Sequence, residues 1–483
     1  MWYNGEQEFR EVKRVNILIV GNGFDLAHGL PTRYTDFLKY CRDYEGKGVP
    51  ISKDTAIASE FQGIIKDNLW LNYFFQITPN LDEDRTWIDF EREIAGIVNF
   101  LGEYSGVTYR FTQNGFKLDF QEKKGNYCNP NMQKFISILD QNGSCLGGNQ
   151  GYEINITQFN DIADFIEYLY QQLHLFVRAF EIYCYFDVNS MVVANMPIRV
   201  KAKEIYEILV NRGNELIDES QKNGSTKSLL RVNTRECLEI RTILREIRQA
   251  VFIFDRYWDI DTHILVHQVQ RLEDETKADL ATQFLLDSAH DIVFSIRRFE
   301  QQMGIQAFLE CRKFDSVLSF NYTNTFRRND YGSSKTQYCY IHGKAQEDPQ
   351  KTNLILGIDD TLSPEEARTN FDWIKFKKYY QRIFFQTGSQ YKDWIREADN
   401  KPNTHIVGHS LDRTDHDVLR EFLMSDGKTY IYYHNEQDHI EKIQRVIEII
   451  GKEELIKRVH SNDWQIKFVD QYGPEGIFKP REA

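Results

Sequence analysis

Apolar positions change their spacing twice along the chain. Asn16 to Val20 (NILIV) is a short β-branched-rich run without alternation, which predicts a strand buried on both faces of a parallel sheet. Gly21-Asn22-Gly23 interrupts the run and helix-forming residues follow, so strand, tight turn and helix are predicted in that order, with a further helix over Tyr34 to Tyr44. Residues 55–310 then show mainly helical spacing, as at Trp87, Phe90, Ile94, Ile97 and Leu101, or Ile205, Leu209, Leu216 and Ile217. Within this stretch Tyr109 to Gln158 is rich in Gly, Asn and Gln with weak periodicity, so an irregular excursion is expected there. Strands return at Ser316 to Phe320, Tyr338 to Ile341, Asn353 to Leu356, His405 to Val407, Lys428 to Tyr433 and Gln465 to Val469. Two helices interrupt them, the first opening at the capping box Ser363-Pro364-Glu365-Glu366. No internal repeat is present. The expected architecture is α/β: a Rossmann-like parallel sheet built from residues 1–54 and 311–483, carrying residues 55–310 as a large, mainly helical insertion domain.

Length and charge narrow the function classes. A chain of 483 residues exceeds one ordinary core, which fits two joined lobes. With 59 basic and 72 acidic residues the net charge is -13, against broad attraction to nucleic acid or an anionic membrane, although a local basic groove is compatible with it. No run of about 18 apolar residues is available to span a bilayer, and Met1 to Arg14 is charged and polar, unlike a signal peptide. A cytoplasmic location without membrane contact is expected. The seven cysteines form no C-x-x-C and no close pair, as expected of reduced, mostly buried residues rather than a disulfide framework or a zinc cluster.

Four strand ends carry polar residues. Gly21, Asn22, Gly23 and Phe24 lead into Asp25 and His28; the glycines leave a nucleotide room to approach the backbone, or simply make a tight turn. Leu26 stands where a dinucleotide-binding GxGxxG needs glycine, and Asp43 and Glu45 lie inside a helical pattern rather than at a strand end, which disfavours an ordinary dehydrogenase. Asp25 would repel a phosphate, so capping the helix or holding a ribose hydroxyl suits it better. The other three ends are Asn321-Tyr322-Thr323, His342-Gly343, and Gly408-His409-Ser410 followed by Asp415. Each alone is compatible with turn chemistry; their convergence at the carboxyl edge of a parallel sheet favours a ligand site.

Other clusters read more plainly. In WIDFEREI, Asp89 and Glu91 are second-rank site candidates beside the commoner reading of a solvated helix face, as is His28. His263 and His267 lie one turn apart without an HExxH pattern and read as structural. Lys375, Lys378 and Arg382 align on one helical face beside Tyr379 and Tyr380, where a solvated face with inward aromatics is expected over a single-strand groove. Arg327 and Arg328 stand close enough to FNYTNTF to meet a phosphate, or are ordinary surface arginines.

Taken in order, GNGFDLAHGLPTRYTDFL, WIDFE, FNYTNTF, Ile341-His342-Gly343, LGIDD and GHSLDRTD resemble the AbiH family of bacterial abortive-infection proteins, whose members are in turn distantly similar to sirtuin-like NAD-consuming domains. The resemblance implies a phage-defence effector on a sirtuin-like Rossmann scaffold, with NAD as substrate rather than resident cofactor and no metal. It implies that Asn321 and His342 carry the chemistry, joined by Asp25. In this scheme the pyrophosphate lies over Gly21 to Gly23, Asn321 orients the ribose or an attacking water, His342 accepts a proton and Asp25 holds ribose or stabilises positive charge. Gly408, Ser410 and Asp415 bind the adenosine side or close the turn. The helical insertion and Asp25 depart from ordinary sirtuins. Two alternatives stay open: a non-catalytic effector gated by a nucleotide or by a phage-derived trigger or partner protein, and a metal-dependent nuclease or nucleotidyl enzyme using Asp25, Asp89 and Glu91. Homo-oligomerisation is compatible with either.

Overall fold

The computed structural model describes residues 15–47, 55–81, 88–103, 107–112, 115–120, 130–139, 152–156, 162–188, 304–329, 331–346, 348, 352–358, 373–396 and 401–478. Trp87, the Ile205 to Ile217 pattern, His263, His267 and the capping box at Ser363 lie outside them. Among the described residues the strands are β1 (Asn16–Val20), β2 (Val107–Thr112), β3 (Gly115–Phe120), β4 (Tyr152–Ile156), β5 (Ser316–Ser319), β6 (Gln337–Tyr340), β7 (Asn403–Val407), β8 (Lys428–Tyr433) and β9 (Ile466–Asp470).

Six of these form one sheet in the order β6-β5-β1-β7-β8-β9, parallel throughout. Its buried strands lack alternation because both faces are covered. Ile17, Ile19 and Leu318 face a core with Val418, Leu419 and Phe422 of helix His416–Leu423 and with Val446 and Ile450 of helix Glu436–Ile450. Leu18, Val20 and Val317 face the opposite core, with Phe24, Phe326, and Ile305 and Phe308 of the helix at 304–312. The fold is therefore α/β, with helices on both faces of a parallel sheet. The chain leaves β1 toward β5 and β6 on one side, then returns to β7, β8 and β9 on the other. Such a switch point opens a crevice at the carboxyl ends of the strands.

A third core lies beyond that edge. Phe37 and Leu38 of helix Tyr34–Lys47, Trp70 and Phe74 of Leu69–Ile77, Phe90 and Ile94 of Phe90–Glu103, and Phe176 and Phe180 of Ile162–Ile182 pack together, with Leu354, Leu356 and Phe376 from the later chain. Tyr34 stacks on Phe90 and Phe74 stacks on the same ring. Among the described residues no helix is long and apolar enough to cross a membrane.

Two sequence expectations need correction. Tyr109 to Gln158 is not wholly irregular: β2, β3 and β4 form an antiparallel sheet and Pro130–Leu139 is a helix. The strands do carry a two-residue period, with Tyr109 opposite Leu118 and Leu118 opposite Ile154, but the surrounding Gly, Asn and Gln masked it. Asn353 to Leu356 is extended yet joins no sheet. Its Ile355 N–H donates to the His342 carbonyl, and Tyr322 Oη donates to the Ile355 carbonyl. That single-sided bonding leaves it a strap beside β6 rather than another strand.

Candidate functional site

The four polar strand ends meet around one cavity of about 390 Å³. The glycines at its base are required by backbone contact. Gly21 N–H donates to the Val407 carbonyl at 3.2 Å and Gly23 N–H to the Gly408 carbonyl at 2.8 Å. A Cβ on Gly23 would lie 2.8 Å from Gly408 Cα, and one on Gly408, where φ is +66°, 2.3 Å from the Phe24 nitrogen. The turn after β1 thus packs main chain on main chain against the turn after β7. Both glycine amides are consumed in doing so, and the expected seat for a pyrophosphate over Gly21 to Gly23 lacks those two donors. Gly343 has the same kind of role outside the cavity: at φ +78° it lets the Asn353 carbonyl pass where a Cβ would stand.

Asp25 lies within helix Asn22–Ala27 and does not cap it. The residue is 1% exposed. Oδ2 accepts from Thr323 Oγ1, while Oδ1 is buried with no hydrogen-bond partner. Burial pushes its pKa up to about 6 against the hydrogen bonds of Thr323, Thr325 and Asn321. Asn321, at the end of β5, donates from Nδ2 to the Gly21 carbonyl at 3.0 Å. That bond fixes the amide plane across the mouth of β1. Asn22 is also anchored, its Oδ1 accepting from Thr32 Oγ1.

On the opposite wall His342 Nε2 lies 2.8 Å from Asp415 Oδ1. A carboxylate only accepts, so Nε2 carries the proton and the lone pair of the neutral ring sits on Nδ1. Burial and the Lys378 ammonium lower the His342 pKa, outweighing Asp415, which favours the imidazolium. His409 receives the Leu411 N–H on Nδ1 at 2.9 Å and directs Nε2 toward Asp415 Oδ2 at 3.6 Å. Burial depresses the His409 pKa to about 4. Asp415 itself stays ionised well below the carboxylate range: Lys378 and His342 offset its burial.

Lys378 completes this wall from outside the cavity lining. Its Nζ is 3.0 Å from Asp415 Oδ1, 2.8 Å from Glu91 Oε2 and 2.9 Å from Thr414 Oγ1. Thr414 Oγ1 in turn donates to Glu91 Oε2 at 3.1 Å. Burial raises the Glu91 pKa, and the adjacent ammonium opposes that rise. The solvated basic face expected around Lys378 is therefore overturned at this residue, which is 2% exposed at its side chain, against 39% for Lys375 paired with Glu167. Lys378 opens helix Lys378–Phe385 with its N–H on the Ile358 carbonyl, and its buried charge is accepted because two carboxylates meet it.

Of the residues singled out from sequence, Gly21, Asn22, Gly23, Asp25, Asp89, Glu91, Asn321, Tyr322, Thr323, His342, Gly408, His409, Ser410 and Asp415 line the cavity. Phe24 belongs to the core on one sheet face, and His28 is a buried bridge, with Nδ1 on the Phe24 carbonyl and Nε2 on Tyr331 Oη. Asp89 caps helix Phe90–Glu103 by accepting the Arg92 N–H at 3.1 Å. Sequence reasoning missed Lys378, Thr414, Arg33 and Tyr34. Thr414, Arg33 and Tyr34 had a signal, since they fall within the quoted GHSLDRTD and GLPTRYTDFL, whereas Lys378 had none beyond its place in a basic helical stripe. Among the described residues no group of three or more His, Cys, Asp or Glu is arranged to hold a metal ion.

A family model described as bacteriophage abortive infection AbiH matches residues 17–172 and 148–433. No curated protein and no solved structure matches the chain.

Proposed function

The chain belongs to the AbiH family of bacteriophage abortive-infection proteins, and from that premise and the chemistry of the cavity we propose that it is an effector that hydrolyses the nicotinamide–ribose bond of NAD. The observation that carries this reading is the convergence of a fixed amide, Asn321, and a neutral, carboxylate-oriented imidazole, His342, on one acid-lined cavity. The cavity volume falls within the range of about 300–1,000 Å³ usual for small-ligand pockets.

Cleavage of the C1′–N bond builds positive charge on the ribose as nicotinamide departs with the bonding electrons. A wall containing Asp25, Asp89, Glu91, Asp412 and Asp415 stabilises such a charge when its acids are ionised and water is excluded. The attacking water loses a proton to His342 Nδ1, and Asp415, bonded to Nε2–H, stabilises the imidazolium that forms. Water oxygen bonds to C1′, nicotinamide leaves neutral, and the proton returns to solvent. Asn321, anchored through Nδ2, retains its amide oxygen to hold water or a ribose hydroxyl. Arg33 is exposed and lines the rim, where it suits the phosphates better than the engaged glycine amides do.

The metal-dependent alternative matches the residues less well, because Asp25, Asp89 and Glu91 each have separate hydrogen-bond partners. Purified wild type, Asn321→Ala and His342→Ala proteins are incubated with NAD, with ATP and a short RNA in parallel, and free nicotinamide is followed by chromatography. The same variants are expressed in phage-infected cells and NAD is measured, so that a trigger is supplied. Nicotinamide release falling by about 10²–10⁴-fold in His342→Ala is expected. Equal turnover in that variant, or infected cells that stop growing with NAD intact, overturns the reading and favours the gated effector.

A further inference from the structure

We propose that Lys378 is a positioning residue of this cavity: its ammonium, seated between Asp415, Thr414 and Glu91, holds Asp415 as the anion that orients His342 and ties that arrangement to the helix that supplies Glu91. The inference rests on the role given to His342 above, but its main readout does not.

The geometry is a chain of contacts from one core to another. Glu91 lies in the first turn of helix Phe90–Glu103, whose Phe90 and Ile94 are embedded in the helical core. Asp415 lies at the head of helix His416–Leu423, which packs on the sheet. Lys378 Nζ reaches both carboxylates and also stands 3.4 Å from His342 Nε2. Two donors cannot bond each other, so Lys378 and His342 share Asp415 Oδ1 as their common acceptor. That sharing fixes which ring nitrogen faces the acid. The Nζ hydrogens are fully occupied by Asp415, Glu91 and Thr414, three acceptors for three donors, so the ammonium has one arrangement rather than several.

The charges facing His342 come from every element around it. Asp415 approaches from the turn after β7 and His409 from the same turn; Lys378 and Arg382 approach from helix Lys378–Phe385, while Phe320 and Tyr322 supply uncharged rings from the end of β5. Burial, with the two cations, keeps His342 neutral against Asp415. Removing the Lys378 charge takes away one of the groups that oppose Asp415, and the balance at His342 shifts toward the imidazolium. Displacing Glu91 with its helix changes which acceptors share the ammonium, leaving it to Asp415 and Thr414. A signal received by the helical core thereby has a direct route to the base.

The test follows the His342 ring by ¹⁵N NMR titration in wild type, Lys378→Met, Lys378→Arg and the double variant Lys378→Met/Glu91→Gln, assigning the signal with His342→Gln. The double variant removes one cation and one anion together, so it leaves the net buried charge unchanged if the single variant fails to fold. Thermal unfolding checks each protein. The His342 midpoint is expected to rise by about 1–3 pH units in the methionine variants and to return toward wild type in Lys378→Arg. If NAD is hydrolysed, the acid limb of the kcat/KM profile shifts upward by the same amount. A folded double variant with an unmoved His342 midpoint overturns the positioning role. A moved midpoint in a protein that never releases nicotinamide sustains the positioning role and overturns the proposed reaction instead.

Discussion

Gly408→Ala should destabilise the protein through the contact between the turns after β1 and β7. At Gly408 φ is +66°, and an added Cβ would lie 2.3 Å from the Phe24 nitrogen, 2.6 Å from the Gly23 carbonyl carbon and 2.9 Å from Gly23 Cα. The left-handed backbone costs an L-residue about 1–2 kcal/mol, and forcing a methyl against well-packed main chain adds about 1–3 kcal/mol. The sum, about 2–5 kcal/mol, is a large part of a typical native stability of about 5–15 kcal/mol. No side chain can rotate away to relieve it, because all three of these neighbours are backbone. Gly63→Ala provides the control: Gly63 is exposed in helix Thr55–Asp67 and a Cβ there meets nothing within 4 Å, so the change stabilises by about 0.5–1 kcal/mol. Denaturant unfolding followed by far-ultraviolet circular dichroism reads both. Gly23→Ala, which carries no φ penalty, should fall between them, and the double variant Gly23→Ala/Gly408→Ala should cost less than the sum because both changes open one contact. Wild-type stability in Gly408→Ala would refute the assignment of these glycines to turn packing.

Asp25 gives a pH-dependent expectation. Its folded pKa of about 6 lies above the ordinary 3.8, so the native state binds the extra proton and stability falls as pH rises from about 4 through about 6, by about 3 kcal/mol. Asp25→Asn should match wild type at pH 4 and exceed it at pH 8; parallel stability curves would rule out the buried Asp25 carboxylate as the cause. Asn68 tests the helical core. It accepts the Leu71 N–H at 3.0 Å and donates to the Gln172 carbonyl at 2.7 Å while 2% exposed, so Asn68→Ala should cost about 1–3 kcal/mol, with Asn68→Ser recovering part of it; a thermal unfolding loss below about 0.5 kcal/mol would contradict the capping argument.

The sheet was readable because its strands are covered on both faces and so stand out as apolar runs: Asn16 to Val20 coincides with β1, and the runs from 316, 338, 405, 428 and 465 overlap β5 to β9. The ordered motifs likewise identified the family. Asn353 to Leu356 misled for the same physical reason, since a buried strap and a buried strand have equally apolar sequences. The strands at Val107, Gly115 and Tyr152 were missed because three short alternating segments carry less signal than the polar stretches between them.

What the sequence by itself determined is local: where the backbone must be extended, where a turn admits only glycine, and which polar residues terminate strands. Each follows from interactions among residues a few positions apart. Only the tertiary structure decided that β1 sits between β5 and β7, which draws the four strand ends into one cavity. It also decided that Gly23 serves Gly408, and that Lys378 rather than Lys375 is buried among carboxylates. Two lysines three residues apart look alike in a sequence. Their difference lies in what packs over each, and for Lys378 those groups, Glu91 and Asp415, come from distant parts of the chain that meet only when the helical core closes on the sheet.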